Sequence, residues 1–164
     1  MLIVIANKLE GIVLVEVLVL YYSRAGKTEA LAKAVADGAR SVEGVTVLAK
    51  RVDYATVNDF ISCDAVAFGS PNYFSYMAGL MKDYFDKAFS VRDKVAGKLA
   101  AAFTVGGGAS NTALLSLENL IAAFKLEKAA EGVFCQGPPS EEVLSACKKL
   151  GETLAKAAVK KAKK

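Results

Sequence analysis

Apolar residues in this chain follow two alternating patterns, short uninterrupted runs and helical repeats. Residues 17–22 form a continuous β-branched and aromatic run, which is typical of a strand covered on both faces of a parallel sheet. From Glu29 onward the apolar positions follow a helical spacing. The alternation predicts further strands over 45–52, 65–69, 99–105 and about 129–135, and helices over 56–61, 77–89, about 111–124 and from Pro139 and Ser140 onward.

Two of the predicted helices carry a clear apolar stripe. In the helix over 77–89 the stripe lies opposite a row of charged residues, so we expect its members to be buried. They are Met77, Leu80, Met81, Tyr84, Phe85 and Ala88. The buried side of the last helix is predicted to be Val143, Leu144, Cys147, Leu150, Leu154 and Ala158. Both helices are therefore expected to pack on a sheet.

Strict alternation of strands and helices predicts an α/β fold, a doubly wound five-stranded parallel sheet with helices on both faces. Periodicity alone does not choose the strand order. At 164 residues the chain has the length of one domain, which we place at 17–164. Residues 1–16 form an N-terminal extension of unknown role. Three interpretations of it stay open: an extra hairpin strand, an exchange arm between protomers, or upstream translation of no functional weight.

Composition removes several classes of function. The chain has no histidine, which excludes Ser-His-Asp triads, histidine zinc sites and imidazole proton shuttles. Its three cysteines, Cys63, Cys135 and Cys147, include no C-x-x-C pair, so we expect core residues and no metal site. We find no membrane span and no signal peptide in the sequence, so a cytoplasmic protein is expected.

The net charge of +4 is concentrated at the C-terminus, because five lysines follow the last acidic residue. They are Lys156, Lys160, Lys161, Lys163 and Lys164. Without them the rest of the chain has a net charge of −1. We expect a solvated, fraying helix end that complements the helix dipole. Nucleic acid is not an expected partner, since no aromatic residues are interleaved with these lysines.

Candidate chemistry is concentrated in six residues between the first strand and the first helix. They are Ser23, Arg24, Ala25, Gly26, Lys27 and Thr28. Backbone N–H groups at a helix start can point at one anion, helped by the helix dipole, and two hydroxyl groups add further donors. The pattern predicts a phosphate site. One alternative is an ordinary helix start with Thr28 as the N-cap; another is a P-loop, although Tyr21 occupies the position of its first glycine.

The loops after the third and fourth strands are predicted to open on the same crevice, since the carboxyl ends of parallel strands share one edge. The loop at 69–77 offers an amide and aromatic rings, which suit a flat heteroaromatic ring; the alternative is a helix lead-in whose tyrosines pack on the core. The glycines after the fourth strand leave room for such a ring. The predicted binding residues here are Pro71, Asn72, Tyr73, Phe74, Ser75, Thr104, Val105, Gly106, Gly107 and Gly108.

The run over residues 19–35, V-L-Y-x-S-R-x-G-x-T-E-x-x-A-K-x-V, resembles the flavodoxin signature at every position. This resemblance implies the strand order 2-1-3-4-5 and a non-covalent FMN at the switch point, with its phosphate in the first loop. The second loop also resembles that of flavodoxin-like NAD(P)H:quinone oxidoreductases. Ser75 stands where that family usually has glycine, and its Cβ is expected to restrict the backbone movement that tunes flavin protonation in flavodoxins.

The resemblance implies a redox protein in which FMN does the chemistry and no side chain is catalytic. We expect electron transfer with redox partner proteins or, alternatively, an NAD(P)H-dependent oxidoreductase acting on a quinone-like acceptor. Chain length favours the carrier. The second loop and the near-neutral core favour the reductase, because carrier flavodoxins are usually strongly acidic. The chain lacks, however, the extra segment and the third-loop histidine of those reductases. A homo-oligomer is left open.

Overall fold

The computed structural model describes residues 13–164, so most of the N-terminal extension lies outside the described residues. The strands are β1 (Val15–Tyr21), β2 (Val45–Arg51), β3 (Ala65–Pro71), β4 (Leu99–Gly106), β5 (Glu127–Lys128) and β6 (Val133–Gln136). The α-helices are α1 (Lys27–Arg40), α2 (Val57–Ser62), α3 (Gly79–Ala88), α4 (Arg92–Val95), α5 (Thr112–Ala123) and α6 (Glu141–Ala162). Two short 3₁₀ helices span Val52–Tyr54 and Phe89–Val91.

The sheet has the order β2-β1-β3-β4-β5, and β6 also pairs with β4. Every pairing is parallel. The doubly wound fold and the strand order 2-1-3-4-5 are thereby confirmed. Because all strands run the same way, the loops that follow β1, β3 and β4 leave the sheet at one edge.

Two different cores cover the two faces of the sheet. On one face α1 and α6 pack over valines and alanines of β1 and β3. On the other face, under α3 and α5, four phenylalanine rings contact one another, with the Phe68 and Phe85 centroids 4.8 Å apart and those of Phe85 and Phe124 5.4 Å apart. Offset and edge contacts of this kind are favourable beyond the area they bury. The sheet is therefore held on both sides and fixes its loops at one edge.

The contact between α1 and α6 depends on two glycines. A Cβ added to Gly38 would overlap the carbonyl oxygen of Lys148, and one added to Gly151 would overlap that of Val35. Both overlaps involve backbone atoms, which cannot rotate out of the way. Close approach of the two helices is therefore encoded by Gly38 and Gly151, and it fixes α1, whose first turn faces the functional edge.

The single fifth strand predicted over about 129–135 is wrong, since the edge is formed by the two short strands β5 and β6. Leu99 pairs with Glu127 and Phe103 with Val133, so the edge has two more residues than β4 over this stretch. The extra residues belong to a run of alanine, glutamate, lysine and glycine, which are depleted in strands. Low strand propensity thus explains the interruption.

The predicted helix over 77–89 is shorter in the structure, because α3 begins at Gly79 and continues past Ala88 as a 3₁₀ turn. Five of the six stripe residues are buried as expected, but Leu80 is 45% exposed. It lies in the first turn of α3, at the functional edge. The strand β1 also begins earlier than predicted, at Val15.

The three cysteines are free and buried, as predicted. Burial raises the pKa of the Cys63 and Cys147 thiols to about 12, so both stay protonated at neutral pH. The lysine-rich end is less free than expected. Lys161 Nζ donates to the Gly97 carbonyl at 2.6 Å and lies 2.8 Å from Glu127 Oε1. Within residues 13–164, no helix has the combination of length and apolarity that a bilayer crossing requires.

Candidate functional site

The loops after β1, β3 and β4 form one cleft at the carboxyl edge of the sheet. The cleft is lined by Ser23, Arg24, Ala25, Lys27, Thr28, Pro71, Asn72, Tyr73, Val105, Gly106 and Gly107. All eleven were predicted as binding residues from the sequence. The expectation that the three loops open on a common crevice is confirmed. The second loop does not only pack on the core, since Pro71, Asn72 and Tyr73 line the cleft.

Five predicted binding residues do not line this cleft. Gly26 is the N-cap of α1, and Phe74 and Ser75 form the tip of a hairpin. Thr104 lies within β4 with its side chain fully buried, and its Oγ1 has no hydrogen-bond partner among the described residues. Gly108 follows the lining residues of the third loop. The end of β4 and the third loop therefore contribute fewer lining residues to the cleft than the sequence predicted.

The first loop, residues 23–28, forms the cradle at the start of α1. Gly26 has φ 88° and ψ −9°, a left-handed conformation that glycine adopts without strain. Its N–H donates to Ser23 Oγ at 3.1 Å, which closes the loop. Since Gly26 has no side chain, it cannot cap the first N–H groups of the helix. Lys27 and Thr28 of this first turn line the cleft, where an anion can accept from such donors.

The helix start differs from the ordinary N-cap alternative. Helix α1 begins at Lys27, two residues before the predicted start, so Thr28 lies in its first turn and is not the cap. Thr28 and Ser23 are buried, whereas Arg24, Ala25 and Lys27 are exposed. Hydroxyl and backbone donors therefore form the inner wall of the cradle, and the two cationic side chains lie at its mouth.

Arg51, which the sequence analysis missed, supports the cradle from the end of β2. Its Nη1 donates to the Ser23 carbonyl oxygen at 2.6 Å, and its Nη2 lies 2.8 Å from Asp53 Oδ2. The hydrogen bond to Arg51 holds the pKa of Asp53 below its usual value and raises that of Arg51. The guanidinium also lies 5.7 Å from the centroid of the Tyr22 ring. The sequence contained one signal for this role: Arg51 ends β2, which lies beside β1 in the strand order 2-1-3.

Asn72 joins the second and third loops. Its backbone N–H donates to the Val105 carbonyl at 2.8 Å, and its Nδ2 donates to the Ser110 carbonyl at 3.0 Å. A Cβ on Gly106 would lie 2.9 Å from the Asn72 Cβ, so the close approach of the two loops requires glycine there. The side-chain amide was expected to face a bound ring. One of its N–H groups is instead used to hold the loops together.

Residues 72–77 form a tight hairpin. Tyr73 and Tyr76 exchange backbone hydrogen bonds of 2.9 and 3.1 Å, and the two residues between them have positive φ, 52° at Phe74 and 66° at Ser75. Two consecutive positive φ values define a type I′ turn, which usually contains glycine or asparagine. For other residues a left-handed conformation costs about 1–2 kcal/mol. Ser75 thus has a backbone conformation that suits glycine better than serine.

The two aromatic residues of the second loop, Tyr73 and Phe74, have different positions in the structure. Tyr73 lines the cleft, and its ring makes an edge contact with Tyr22 at a centroid distance of 6.4 Å. Phe74 projects from the hairpin tip and is fully exposed. Only Tyr73 is therefore placed to contact a molecule inside the cleft.

Two buried serines anchor the base of the hairpin. Ser70 Oγ accepts from the Ala78 N–H at 2.8 Å and donates to the Pro71 carbonyl. Ser116 Oγ, from α5, accepts from the Met77 N–H at 3.2 Å and donates to the Ala113 carbonyl. Each hydroxyl satisfies a backbone group that would otherwise be buried without a partner. Sequence reasoning missed both, and Ser116 is nearly forty residues away from its partner.

The comparisons with known proteins agree with this geometry. The flavodoxin family model matches residues 19–160. The chain is 34% identical over 157 residues to a flavodoxin of Aquifex aeolicus, and the match covers 85% of each chain. A flavodoxin from the domain Archaea has TM-score 0.77 and 22% identity, covering 87% of this chain and 98% of that one. The flavodiiron protein from Giardia intestinalis has TM-score 0.80 and 25% identity, covering 90% of this chain and 37% of that one.

The family match confirms the resemblance carried by residues 19–35 and the expected FMN cofactor. The residues present fit that group, because a helix start without a side-chain cap, the aromatic Tyr73 and the glycines of the third loop line one cleft. The relatives do not favour the quinone-reductase alternative. From its sequence match and its fold, this chain belongs to the flavodoxin family, whose members bind FMN non-covalently and transfer electrons to redox partners.

Proposed function

We propose that this chain carries electrons between protein partners through an FMN held in the cleft. The observation that carries the proposal is the meeting of the cradle, the hairpin and the glycine-lined third loop on that one cleft. The flavin, when bound, supplies the ability to accept and release electrons; the protein binds it, orients it and sets its electrostatic surroundings.

In this proposal the phosphate is held by the N–H groups of the first turn of α1, with Ser23 and Thr28 as hydroxyl donors. Backbone donors at a helix start are already oriented, so little entropy is lost when the anion binds. Arg24 and Lys27 add positive charge at the mouth. Because both side chains are exposed, their contribution is expected to be small and sensitive to salt.

The ring lies between the hairpin and the third loop. Tyr73 is proposed to contact one face, with Pro71 beside it, while Gly106 and Gly107 line the opposite side with Val105. The support for these roles is that all five residues line the cleft and that Asn72 fixes the separation of the two loops. Backbone groups of these loops are the candidate partners for the polar edge of the ring.

Carrier activity is favoured over a reductase by the relatives that match over nearly their whole length, which are described as flavodoxins. The residues that line the cleft include no carboxylate and no thiol. The cleft therefore offers FMN a binding site whose lining has no carboxylate or thiol to take part in the chemistry.

The test is a spectrum followed by an anaerobic mixing experiment. Purified protein titrated with FMN should give a bound-flavin absorbance spectrum, which NADH or NADPH alone leaves unchanged and which bleaches when a flavodoxin reductase is added. Rapid bleaching by reduced nicotinamide alone would show a reductase instead. Failure to bind FMN would reject the proposal altogether.

The domain boundary is part of this proposal, with residues 17–164 as the FMN-binding domain. Strand β1 begins at Val15, so a truncation that tests the boundary has to keep that strand. A chain starting at Val13 should bind FMN as tightly as the full chain; weaker binding would assign residues 1–12 a role in the domain.

A further inference from the structure

The two segments that contain the hairpin and the third loop, where the flavin ring is proposed to lie, have no charged residue. Neither 65–81 nor 99–117 includes lysine, arginine, aspartate or glutamate. These segments nevertheless supply five of the nine large hydrophobic side chains that are exposed among residues 13–164. The five, which we call the apolar rim, are Tyr73, Phe74, Tyr76, Leu80 and Leu115. Exposed apolar side chains are common singly, but a cluster at a functional edge indicates a contact surface.

Hydrogen bonds connect the segments that bear these side chains. Met77, between Tyr76 and Leu80, donates its N–H to Ser116, the neighbour of Leu115. Asn72, next to Tyr73, is bonded to Ser110 at the end of the third loop. The segments that bear the rim residues are therefore joined beside the cleft, and the type I′ turn places the exposed Phe74 at the tip of the hairpin.

The charged residues that directly follow the two segments, Lys82 and Glu118, each form an ion pair. Lys82 Nζ lies 2.6 Å from Asp86 Oδ1, and Lys128 Nζ lies 2.9 Å from Glu118 Oε1. The exposed cations Arg24 and Lys27 lie at the cradle, on the side of the sheet covered by α1 and α6. Glu141 and Glu142, in the first turn of α6, belong to that same side. The segments 65–81 and 99–117 therefore offer a partner neither a positive nor a negative patch, and the cations Arg24 and Lys27 border the cleft from its other side.

We propose that the apolar rim docks an electron-transfer partner whose contact face is itself apolar and uncharged. This inference rests on the proposed function, because the surface matters only if electrons leave from the adjacent flavin. An uncharged face gains no electrostatic steering, so association depends on buried apolar area and changes little with ionic strength. A strongly basic or acidic partner gains no ion pair on this surface, so only the apolar part of its contact face contributes to docking and its association changes little with salt.

The test measures electron transfer from the FMN-loaded, chemically reduced protein to a basic c-type cytochrome in a stopped-flow instrument. The rate constant of the wild-type chain should change less than about twofold between 20 and 500 mM NaCl. Phe74→Glu should raise the low-salt rate constant about threefold or more, and 500 mM NaCl should remove the gain. Phe74→Ser and Leu115→Ser should each lower the rate constant at both salt concentrations.

Phe89 provides the matched control, since it is also an exposed phenylalanine but lies past the far end of α3. Phe89→Glu and Phe89→Ser should leave the rate constants unchanged. A tenfold fall with salt in the wild type, or equal effects at positions 74 and 89, would overturn the proposal. Sedimentation showing a dimer that Phe74→Ser dissociates would assign the rim to a second copy. Absorbance of bound FMN is recorded for every variant, and its absence in the wild type rejects the proposed function separately.

Discussion

The cradle at 23–28 and the hairpin at 72–77 face the same cleft but are built in different ways. The cradle is built mainly from neighbouring residues, a left-handed glycine, one serine three residues earlier and the start of α1, and Arg51 of β2 supports it from outside. The hairpin depends on distant residues, because its base is fixed by Ser70 and by Ser116 of another helix, and its tip has two strained positions. The comparison teaches that the cradle is a local binding device, whereas the hairpin is a shape imposed by the fold.

The largest expected effect is at the cradle. Gly26→Val places a β-branched residue at φ 88°, a conformation that such residues avoid, so the first N–H groups of α1 should move from their present directions. FMN affinity should fall at least about 100-fold, equivalent to about 2.7 kcal/mol. Titration of FMN measures the change.

Gly97→Val is the matched control for this variant. Gly97 has φ 82° and, like Gly26, open space where a Cβ would lie, but it belongs to the opposite edge of the sheet. It should lose stability by a similar amount and keep its FMN affinity. Equal loss of affinity in both variants would mean that Gly26 acts only through stability.

The next effect separates the hairpin from the cradle. Ser116→Ala removes the acceptor for the buried Met77 N–H, which should lower the free energy of unfolding by about 1–3 kcal/mol. Urea denaturation gives the value. Ser90→Ala is the control, because its exposed hydroxyl only donates to the Lys87 carbonyl. If Ser116→Ala is as mild as Ser90→Ala, the hairpin does not depend on its distant anchor.

A smaller effect of opposite sign is expected at the hairpin tip. Ser75→Gly relieves a positive φ but increases the entropy of the unfolded chain, so unfolding should cost up to about 1 kcal/mol more. Ser75→Ala keeps the Cβ and should leave stability unchanged. Urea denaturation of the two variants in parallel measures the difference. A destabilised Ser75→Gly chain would show that the serine side chain, and not its backbone, stabilises the turn.

The smallest effects concern the cations at the cradle mouth. Arg24→Ala and Lys27→Ala should each weaken FMN binding less than about fivefold at low salt, and 0.5 M NaCl should abolish the difference. Lys33→Ala, on the same helix but beyond its first turn, should have no effect. If Arg24→Ala lowered the affinity for FMN 100-fold or more, the phosphate would be held mainly by a charged side chain and not by backbone donors.

The sequence predicted the position of the cradle because, apart from Arg51, the residues that form it lie within six positions of one another. Most of the fold was also predictable, since long apolar periods decide where β1, α3 and α6 lie. The interruption between β5 and β6 could not be predicted, because the weak strand propensity of these residues competes with the hydrogen bonds that pairing with β4 would provide. Arg51 and Ser116 escaped prediction for a different reason. Each contacts a loop that only the tertiary fold brings near, and no local pattern records such contacts.

The central claim is that the cradle holds a phosphate while the ring of the same molecule lies between the other two loops. Parallel titrations with FMN and riboflavin test it most directly, because the two ligands share the ring and differ only in the phosphate. FMN should bind the wild-type chain at least about 100-fold more tightly, and Gly26→Val should remove most of that difference. Equal affinities for the two ligands, or binding of neither, would contradict the account.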